Sequence, residues 1–225
     1  MNITKIEFPK EKALELSDFR DMDYYAVENY NLPIELMMEN AGLQLAHLVS
    51  SVCAKNMIIK IGIGNGNNGG GGLVAARRLA AWGYKVHLDI FTEITQELPK
   101  VQLKRALKFG AITDAVENPD IWVDAYLGFS QRLPLRDNLL NIIRKANNTN
   151  AIKISLDIPT GFLGETDSPH FNADKVLTLA APKRILYNLI NTEIYVADLG
   201  IPAEVYSKFN TEILPFENSG IIRIN

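Results

Sequence analysis

Apolar residues alternate along the chain between short continuous runs and helix-spaced stripes, and this alternation predicts the order of the elements. Two helices open the chain, one over 18–29 with Ser17 as its N-cap and one over 34–52, separated by a break at Pro33. Short apolar runs then predict strands at 57–62, 84–90, 121–127, 152–157, 175–179 and 193–197, with weaker ones at 112–115 and 220–224. Helical spacing lies between them at 72–82, 97–108 and 136–147.

Most of these strands are continuous apolar runs, which is typical of parallel strands covered by helices on both faces. The sequence therefore predicts an α/β protein, a three-layer α/β/α Rossmann-like sandwich with a mostly parallel central sheet. No repeat, low-complexity tract or linker interrupts the pattern. Residues 1–225 are interpreted as a single domain, with the N-terminal helices of 10–52 packing on or extending the α/β core.

Composition and charge narrow the function classes. The chain has 225 residues, 47% of them hydrophobic, which is enough for one large core. A net charge of −3 argues against a nucleic-acid surface, and no apolar run is long enough to cross a membrane. The single cysteine, Cys53, and an N-terminus without a secretory apolar segment indicate a reducing compartment, so we expect a cytoplasmic protein.

The strongest chemical signal is a glycine-rich turn between a predicted strand and a predicted helix. Seven of the eleven residues from Gly62 to Gly72 are glycine, and Gly64 to Gly69 matches G-x-G-x-x-G. We expect these glycines to allow positive φ and close ligand approach, with the following helix N-terminus holding a diphosphate. A P-loop is excluded, because no Gly-Lys-Ser/Thr follows. An NAD-dependent dehydrogenase would need an acidic residue that binds the ribose of the cofactor. This chain has no well-placed one, since Asp89 is equally well explained as a surface residue. A tight turn without any ligand remains the alternative.

Two aspartates, Asp124 and Asp157, interrupt apolar sequence near the carboxyl ends of two predicted strands. Ligands of parallel sheets bind beyond these ends, and no lysine or arginine is necessarily close in sequence to both aspartates. Together with Asn68 and Thr160 they would form an all-oxygen cluster suited to a monovalent or a divalent cation. The alternative is that each aspartate only accepts backbone N–H bonds in its own turn.

Several motifs follow one another in a fixed order. They are Leu36–Gly42 (LMMENAG), Gly64–Gly72 with the LVAAR that follows it, Val123–Ser130 (VDAYLGFS), Asp157–Gly161 (DIPTG), Ala180–Lys183 (AAPK) and Asp198–Pro202 (DLGIP). Together, over about residues 22–202, they resemble the NAD(P)H-hydrate epimerase family, also known as the YjeF N-terminal domain.

The resemblance implies a homodimer that interconverts the R and S epimers of hydrated NADH and NADPH. A separate ADP- or ATP-dependent dehydratase would repair the S form. It also implies a potassium ion held by Asn68, Asp124 and Thr160. Substrate contacts are implied for Asn67, Asn68, Gly69, Gly70, Gly71, Gly128, Phe129, Ser130, Gln131, Arg132, Leu133, Pro134 and Asp157.

One position departs from the family pattern. The family turn reads N-N-G-G-D-G, and this chain has Gly71 in place of the aspartate. The departure keeps open an alternative function, a non-catalytic nucleotide-binding or dimeric scaffold module of the same fold.

Asp157 is the predicted catalytic residue. The epimerised carbon of the hydrate bears a hydroxyl next to a ring nitrogen, so loss and re-addition of that hydroxyl would pass through an iminium-like cation. Asp157 is predicted to donate and then withdraw the proton, while its charge stabilises the cation. The bound ion would fix loop geometry rather than supply the acid.

Overall fold

The computed structural model describes residues 3–165 and 167–224, and every strand in these ranges joins one sheet. The strands are β1 Thr4–Ile6, β2 Ile58–Ile63, β3 Lys85–Ile90, β4 Ile121–Ala125, β5 Ile152–Leu156, β6 Lys175–Leu179, β7 Glu193–Ala197 and β8 Ile221–Ile224. The α-helices are α1 Leu16–Tyr30, α2 Ile34–Val52, α3 Asn67–Ala81, α4 Glu97–Lys108, α5 Asp137–Asn147 and α6 Ala203–Lys208.

The order of strands across the sheet is β1-β8-β7-β6-β5-β4-β2-β3. Strands β2 to β7 pair in parallel, whereas β8 is antiparallel to β7, and β1 runs parallel to β8. From β2 the chain first builds outward to β3 and then crosses to β4 on the other side of β2. The direction of winding therefore reverses between β2 and β4, and such a switch point is where open α/β sheets bind ligands.

Helices cover both faces of the sheet. Neighbouring residues of β4 point to opposite faces, and Trp122 and Val123 accordingly belong to different apolar clusters. The cluster around Val123 includes α2 and α3 through Leu45 and Leu73, and the cluster around Trp122 includes α5 through Ile143. The predicted three-layer α/β/α Rossmann-like sandwich is confirmed.

A third apolar cluster fixes helix α1 near the carboxyl ends of β6 and β7. It joins Phe19 and Met22 of α1 to Met37 of α2 and Val205 of α6. Ala180, which follows β6, belongs to the same cluster. The N-terminal helices thus form a wall beside the edge of the sheet that carries the candidate site.

The glycine-rich segment differs most from expectation. Helix α3 begins at Asn67, so Gly69 to Gly72 lie inside the helix, and no residue from 62 to 72 has a positive φ. A Cβ on Gly72 would lie 2.6 Å from the Cβ of Ala125, because the helix rests directly on β4. The expected positive φ was wrong, and the glycines serve close packing instead.

Smaller differences concern element ends. Helix α1 starts at Leu16 after Glu15, without a side-chain cap, so Ser17 is not the N-cap. The weak strand predicted at 112–115 is reduced to one bridge between Ile112 and His87. Strand β1 and helix α6 are too short for periodicity to reveal. Within the described ranges, no helix combines the length and apolar character needed to span a bilayer.

Candidate active site

A pocket of about 380 Å³ opens at the carboxyl ends of β2, β4, β5 and β6, beside the switch point. Its size falls in the range of small-molecule sites. Helices α1 and α2 supply a largely apolar wall that includes Phe19, Ile34 and Met37. The loops after the strands supply the polar wall. This division suits a flat ring that carries a few polar groups.

The N-terminus of α3 forms the rim of the pocket on the β2 side. Its N-cap is Gly66, without a side-chain cap bond, and no acidic residue occupies its first turn. The unpaired N–H groups and positive dipole end of such a helix attract anions. A Cβ on Gly64 would overlap the carbonyl oxygen of Tyr126, so only glycine allows the loops after β2 and β4 to approach this closely.

The structure brings most of the predicted substrate contacts to the pocket. Its lining includes Asn67, Asn68, Gly71, Gly128, Phe129, Ser130, Gln131 and Asp157. Gly69 and Gly70 are buried behind this wall, against Gly64 and Met38 respectively. Arg132, Leu133 and Pro134 continue along an exposed loop and do not line the pocket.

Gly71 leaves room in the pocket wall. A Cβ there would lie 3.0 Å from Leu156 Cδ2 and 3.9 Å from the Cβ of Ala41. A small displacement of the Leu156 side chain would thus admit a Cβ at this position. The chain lacks this carboxylate at a position that borders the pocket.

Asp124 is fully buried beneath the pocket and accepts four hydrogen bonds. Its Oδ2 accepts from Ser155 Oγ at 2.9 Å and from the Thr160 N–H at 2.8 Å. Its Oδ1 accepts from Thr160 Oγ1 at 2.6 Å and from the Tyr126 N–H at 3.2 Å. Burial raises the pKa of Asp124 to about 6, against the lowering effect of these bonds. The bond from the Tyr126 N–H lies within the turn after β4, whereas the bonds from Ser155 and Thr160 join β4 to β5 and to the loop that follows β5.

Asn68 reaches the same region from α3. Its Nδ2 donates to the carbonyls of Leu127, at 2.8 Å, and Leu156, at 3.3 Å. Its Oδ1 is buried without a hydrogen-bond partner in the described part of the chain. A buried amide oxygen rarely stays unpaired. Thr160 Oγ1 accepts from the N–H of Leu127, so Asn68 and Thr160 flank one residue.

These residues fit a monovalent cation. The unpaired oxygen of Asn68, the hydroxyl of Thr160 and the carboxylate of Asp124 are hard oxygen donors with a single negative charge. No cluster of three His, Cys, Asp or Glu side chains suited to a transition metal occurs within 3–165 and 167–224. The predicted potassium site therefore stays a prediction with a consistent donor set.

Asp157 lies at the pocket floor and is only 1% exposed. Its φ of 71° is left-handed, and the Ile158 N–H bonds the Leu156 carbonyl across it in a tight turn. Its Oδ2 accepts the N–H of Phe129 at 2.8 Å. Strained backbone of this kind is characteristic of functional positions. The carboxylate bonds a distant loop, so the reading in which Asp157 only serves its own turn was wrong.

Lys183 forms a buried ion pair with Asp157, 2.9 Å from Nζ to Oδ1, which sequence spacing did not reveal. The ammonium also donates to Thr178 Oγ1 at 2.8 Å and to the Leu179 carbonyl at 3.0 Å. It lies 3.5 Å from the centre of the Phe19 ring. Burial lowers the pKa of Lys183, and the charge of Asp157 opposes that effect. Asp157 thus has a cationic partner of its own.

Sequence reasoning also missed Asp23. This residue of α1 lines the pocket, one turn after Phe19, and burial together with the charge of Asp157 raises its pKa to about 6. The signal available in the sequence was an acid inside the apolar stripe that contains Met22 and Ala26. Asp89 lies outside the pocket lining and accepts a bond from the Tyr126 hydroxyl, which removes the weak case for a ribose acid.

Fold and site together define a Rossmann-like α/β protein with a small-molecule pocket at the carboxyl edge of its sheet. A family model described as YjeF-related protein N-terminus matches residues 34–185. The chain belongs to this family.

Several named proteins are similar to this chain along most of its length. A Rhodopirellula baltica protein named NAD(P)H-hydrate epimerase is 34% identical over 210 residues, 85% of each chain. An Anopheles darlingi protein of the same name is 30% identical, with 95% of this chain and all of that one covered. A Thermofilum pendens protein, named bifunctional NAD(P)H-hydrate repair enzyme Nnr, is 31% identical, and the match covers 40% of it. The crystal structure of yeast ynu0 superposes with a TM-score of 0.84 at 24% identity, covering 94% of this chain and 99% of that one, which shows the shared fold.

Proposed function

We propose that this protein is an NAD(P)H-hydrate epimerase, an isomerase that interconverts the R and S forms of hydrated NADH and NADPH. The observation that carries the proposal is Asp157, held by Lys183 and the Phe129 N–H at the floor of a pocket on the carboxyl edge. Family membership and the names of relatives about one-third identical support it.

The substrate would bind with its diphosphate at the rim and its ring at the floor. The first turn of α3 offers uncapped N–H groups beside the exposed Asn67, which suits the diphosphate. The apolar wall around Met37 suits one face of the hydrated nicotinamide ring. Asp157 would then lie next to the carbon that bears the hydroxyl. Gly69, Gly70 and the loop 132–134 would shape this site from behind and beside it.

In the proposed reaction Asp157 transfers a proton to the leaving hydroxyl. The C–O bond breaks, water departs, and the lone pair of the ring nitrogen forms an iminium bond. The negative charge of Asp157 stabilises that cation, and water then adds to the other face. The ion pair with Lys183 holds the carboxylate in place throughout.

The reaction predicts that solvent oxygen enters the product. Pure R-hydrate is incubated with the protein in water labelled with heavy oxygen. The S epimer is separated by chromatography, and its mass is measured by mass spectrometry. We expect a rate above the spontaneous one, with one solvent oxygen per S molecule formed, because the original hydroxyl leaves as water.

The same measurement separates the competing possibilities. Retention of the original oxygen would contradict hydroxyl loss and indicate opening and reclosure of the ring. Tight binding of the hydrate without epimerisation would support the non-catalytic nucleotide-binding or scaffold module, which Gly71 favours by removing a carboxylate from the pocket border.

We also propose that a potassium ion binds at Asn68, Asp124 and Thr160. The unpaired Oδ1 of Asn68 is the supporting observation. When bound, the ion supplies positive charge that offsets the buried Asp124 carboxylate. These residues would thereby hold the loops after β4 and β5 in the geometry that the substrate needs.

Potassium is expected to stabilise the fold more than lithium does at equal ionic strength. Binding to the native state adds about 2.7 kcal/mol at a hundred times Kd. Thermal unfolding of wild type, Thr160→Val and Thr178→Val in both salts tests this. Thr160→Val should lose the potassium-specific gain, because a ligand oxygen is removed. Thr178→Val should keep it, since Thr178 bonds Lys183 instead. Equal midpoints in both salts for the wild type would refute the site.

Three further features stay predictions: the homodimer, the cytoplasmic location and the separate ADP- or ATP-dependent dehydratase that uses the S product. The bifunctional name of the Thermofilum pendens relative supports the last of these. Light scattering of the purified protein would give the oligomeric state directly.

A further inference from the structure

The orientation of Asp23 is fixed by its neighbour on α1. Phe19, one helical turn earlier, packs edge-on against Phe129 with ring centres 5.0 Å apart and also covers Lys183. Residues four apart share a helix face, so Asp23 faces the same pocket. It lines the same pocket as Asp157, in a wall that is otherwise largely apolar.

No structural role accounts for the Asp23 carboxyl. Lys183 forms its ion pair with Asp157 and donates hydrogen bonds to Thr178 Oγ1 and the Leu179 carbonyl. Asp23 is therefore not the hydrogen-bonded counter-ion of Lys183. No other hydrogen bond or ion pair reaches the Asp23 carboxyl from residues 3–165 or 167–224. Burial is the main cause of the raised pKa of Asp23.

Asp23 and Asp157 interact through their charges. The charged groups that face Asp23 are Asp157, which raises its pKa, and Lys183, which lowers it, and the resulting pKa is about 6. Asp23 can therefore gain or lose a proton near pH 6, in the same pocket as Asp157. Two carboxyls in one site can act as an acid and a base.

We propose that Asp23 is a second proton-transfer residue, which serves the face of the substrate ring opposite to the face served by Asp157. The inference rests on the proposed epimerase function and adds a second catalytic residue to it. A base on the second face would assist the reaction, because the hydroxyl leaves from one face and water arrives at the other.

The proton balance is complete within the pair. Protonated Asp157 gives its proton to the hydroxyl on its face, the C–O bond breaks, and water leaves as the iminium forms. The Asp23 carboxylate takes a proton from a water that adds to the same carbon on the other face, and the electron pair returns to nitrogen. One water leaves and one enters, and the proton has moved from Asp157 to Asp23. Exchange with solvent through the half-buried Asp23 resets the pair.

The test compares Asp23→Asn with Asp21→Asn, which changes an exposed carboxylate on the same helix. Conversion of pure R-hydrate is followed by chromatography across a pH series, with the spontaneous rate subtracted. We expect Asp23→Asn to lower kcat about a hundredfold, the scale of general acid–base catalysis. Asp21→Asn should match the wild type. The thermal midpoint of Asp23→Asn should stay near that of the wild type, because Asp23 makes no bond that folding needs.

The pH profile distinguishes proton transfer from a structural role. In the wild type, kcat/KM for conversion of the R-hydrate should rise as pH rises through about 6, because Asp23 must lose its proton before it can accept one from water. This rise should disappear in Asp23→Asn. Carboxyl NMR of the free protein gives a second readout, since Asp157→Asn should lower the pKa of Asp23 by removing the neighbouring negative charge.

Each other result overturns the inference. An unchanged kcat in Asp23→Asn, or a rise of kcat/KM through pH 6 that persists in this variant, would exclude proton transfer by this residue. A rise in KM alone would assign Asp23 to substrate binding instead. An active wild type with any of these outcomes leaves the epimerase function intact, whereas an inactive wild type would reject the function and this inference with it.

Discussion

Asp157→Asn is expected to lower kcat for epimerisation by about 10⁴-fold, or about 5.4 kcal/mol at 1.36 kcal/mol per factor of ten. The amide keeps the shape of the side chain and can still accept the Phe129 N–H through its oxygen. It cannot carry the proton or the negative charge that stabilises the iminium. The loss should therefore appear in kcat, with KM changed only a few-fold.

A matched control lies at the opposite edge of the sheet. Asp174 precedes β6, and its carboxylate accepts a backbone N–H, that of Lys153, at 2.7 Å. Asp174→Asn should retain the wild-type kcat, because this bond is far from the pocket. Chromatographic rates for both variants, measured on protein shown to be folded, decide the matter. A kcat for Asp157→Asn within tenfold of the wild type would contradict the assignment.

The sequence predicted the sheet well because most of its strands are buried on both faces. Such strands leave continuous apolar runs, and β6 and β7 were predicted at their observed bounds. Strand β1 has three residues, and its pattern is one of exposed and half-buried positions, so it leaves no such run. It exists because β8 offers it a parallel partner at the sheet edge, which is a tertiary effect.

The glycine-rich segment shows where local rules fail. Glycine is a poor helix former, so the pattern places the helix start at Gly72. Packing overrides this preference, since Gly42 of α2 and Gly72 of α3 both lie where a Cβ would collide with a neighbour. The close contact of α2 with α3 stabilises a helix that propensity alone would not begin there.

The candidate site was predictable in part for topological reasons. Asp124 pairs in register with Ser155 on the adjacent strand, so the ends of β4 and β5 were bound to meet. Asn68 follows β2, the other neighbour of β4. Lys183 and Asp23 were missed because their contacts depend on how the segment after β6 turns back and on where α1 docks. The spacing of apolar residues along the chain indicates neither of these contacts.

Lys183→Met is expected to destabilise the fold by about 3–5 kcal/mol, the usual effect of removing one partner from a buried ion pair. Methionine fills similar space against Phe19, so the main loss is electrostatic. Asp157 would be left buried without its cation. The half-exposed neighbour gives a control. Arg184→Met removes an ion pair with Glu15 whose partners are 42% and 47% exposed, together with two hydrogen bonds to the carbonyls of Glu11 and Ala13. It should destabilise the fold by about 2 kcal/mol or less.

Combining Lys183→Met with Asp157→Asn separates stability from function. The double variant contains neither buried charge, so it should be more stable than the sum of the two single effects predicts. Urea unfolding of the four proteins at constant m-value measures this coupling. Activity should stay at the level of Asp157→Asn, because no proton-transfer group returns. Additive stabilities would show that the pair does not interact. Recovered stability without recovered activity would mean that a neutral pair serves the fold as well as the ion pair does. The buried ion pair would then be retained because the reaction needs the Asp157 carboxylate.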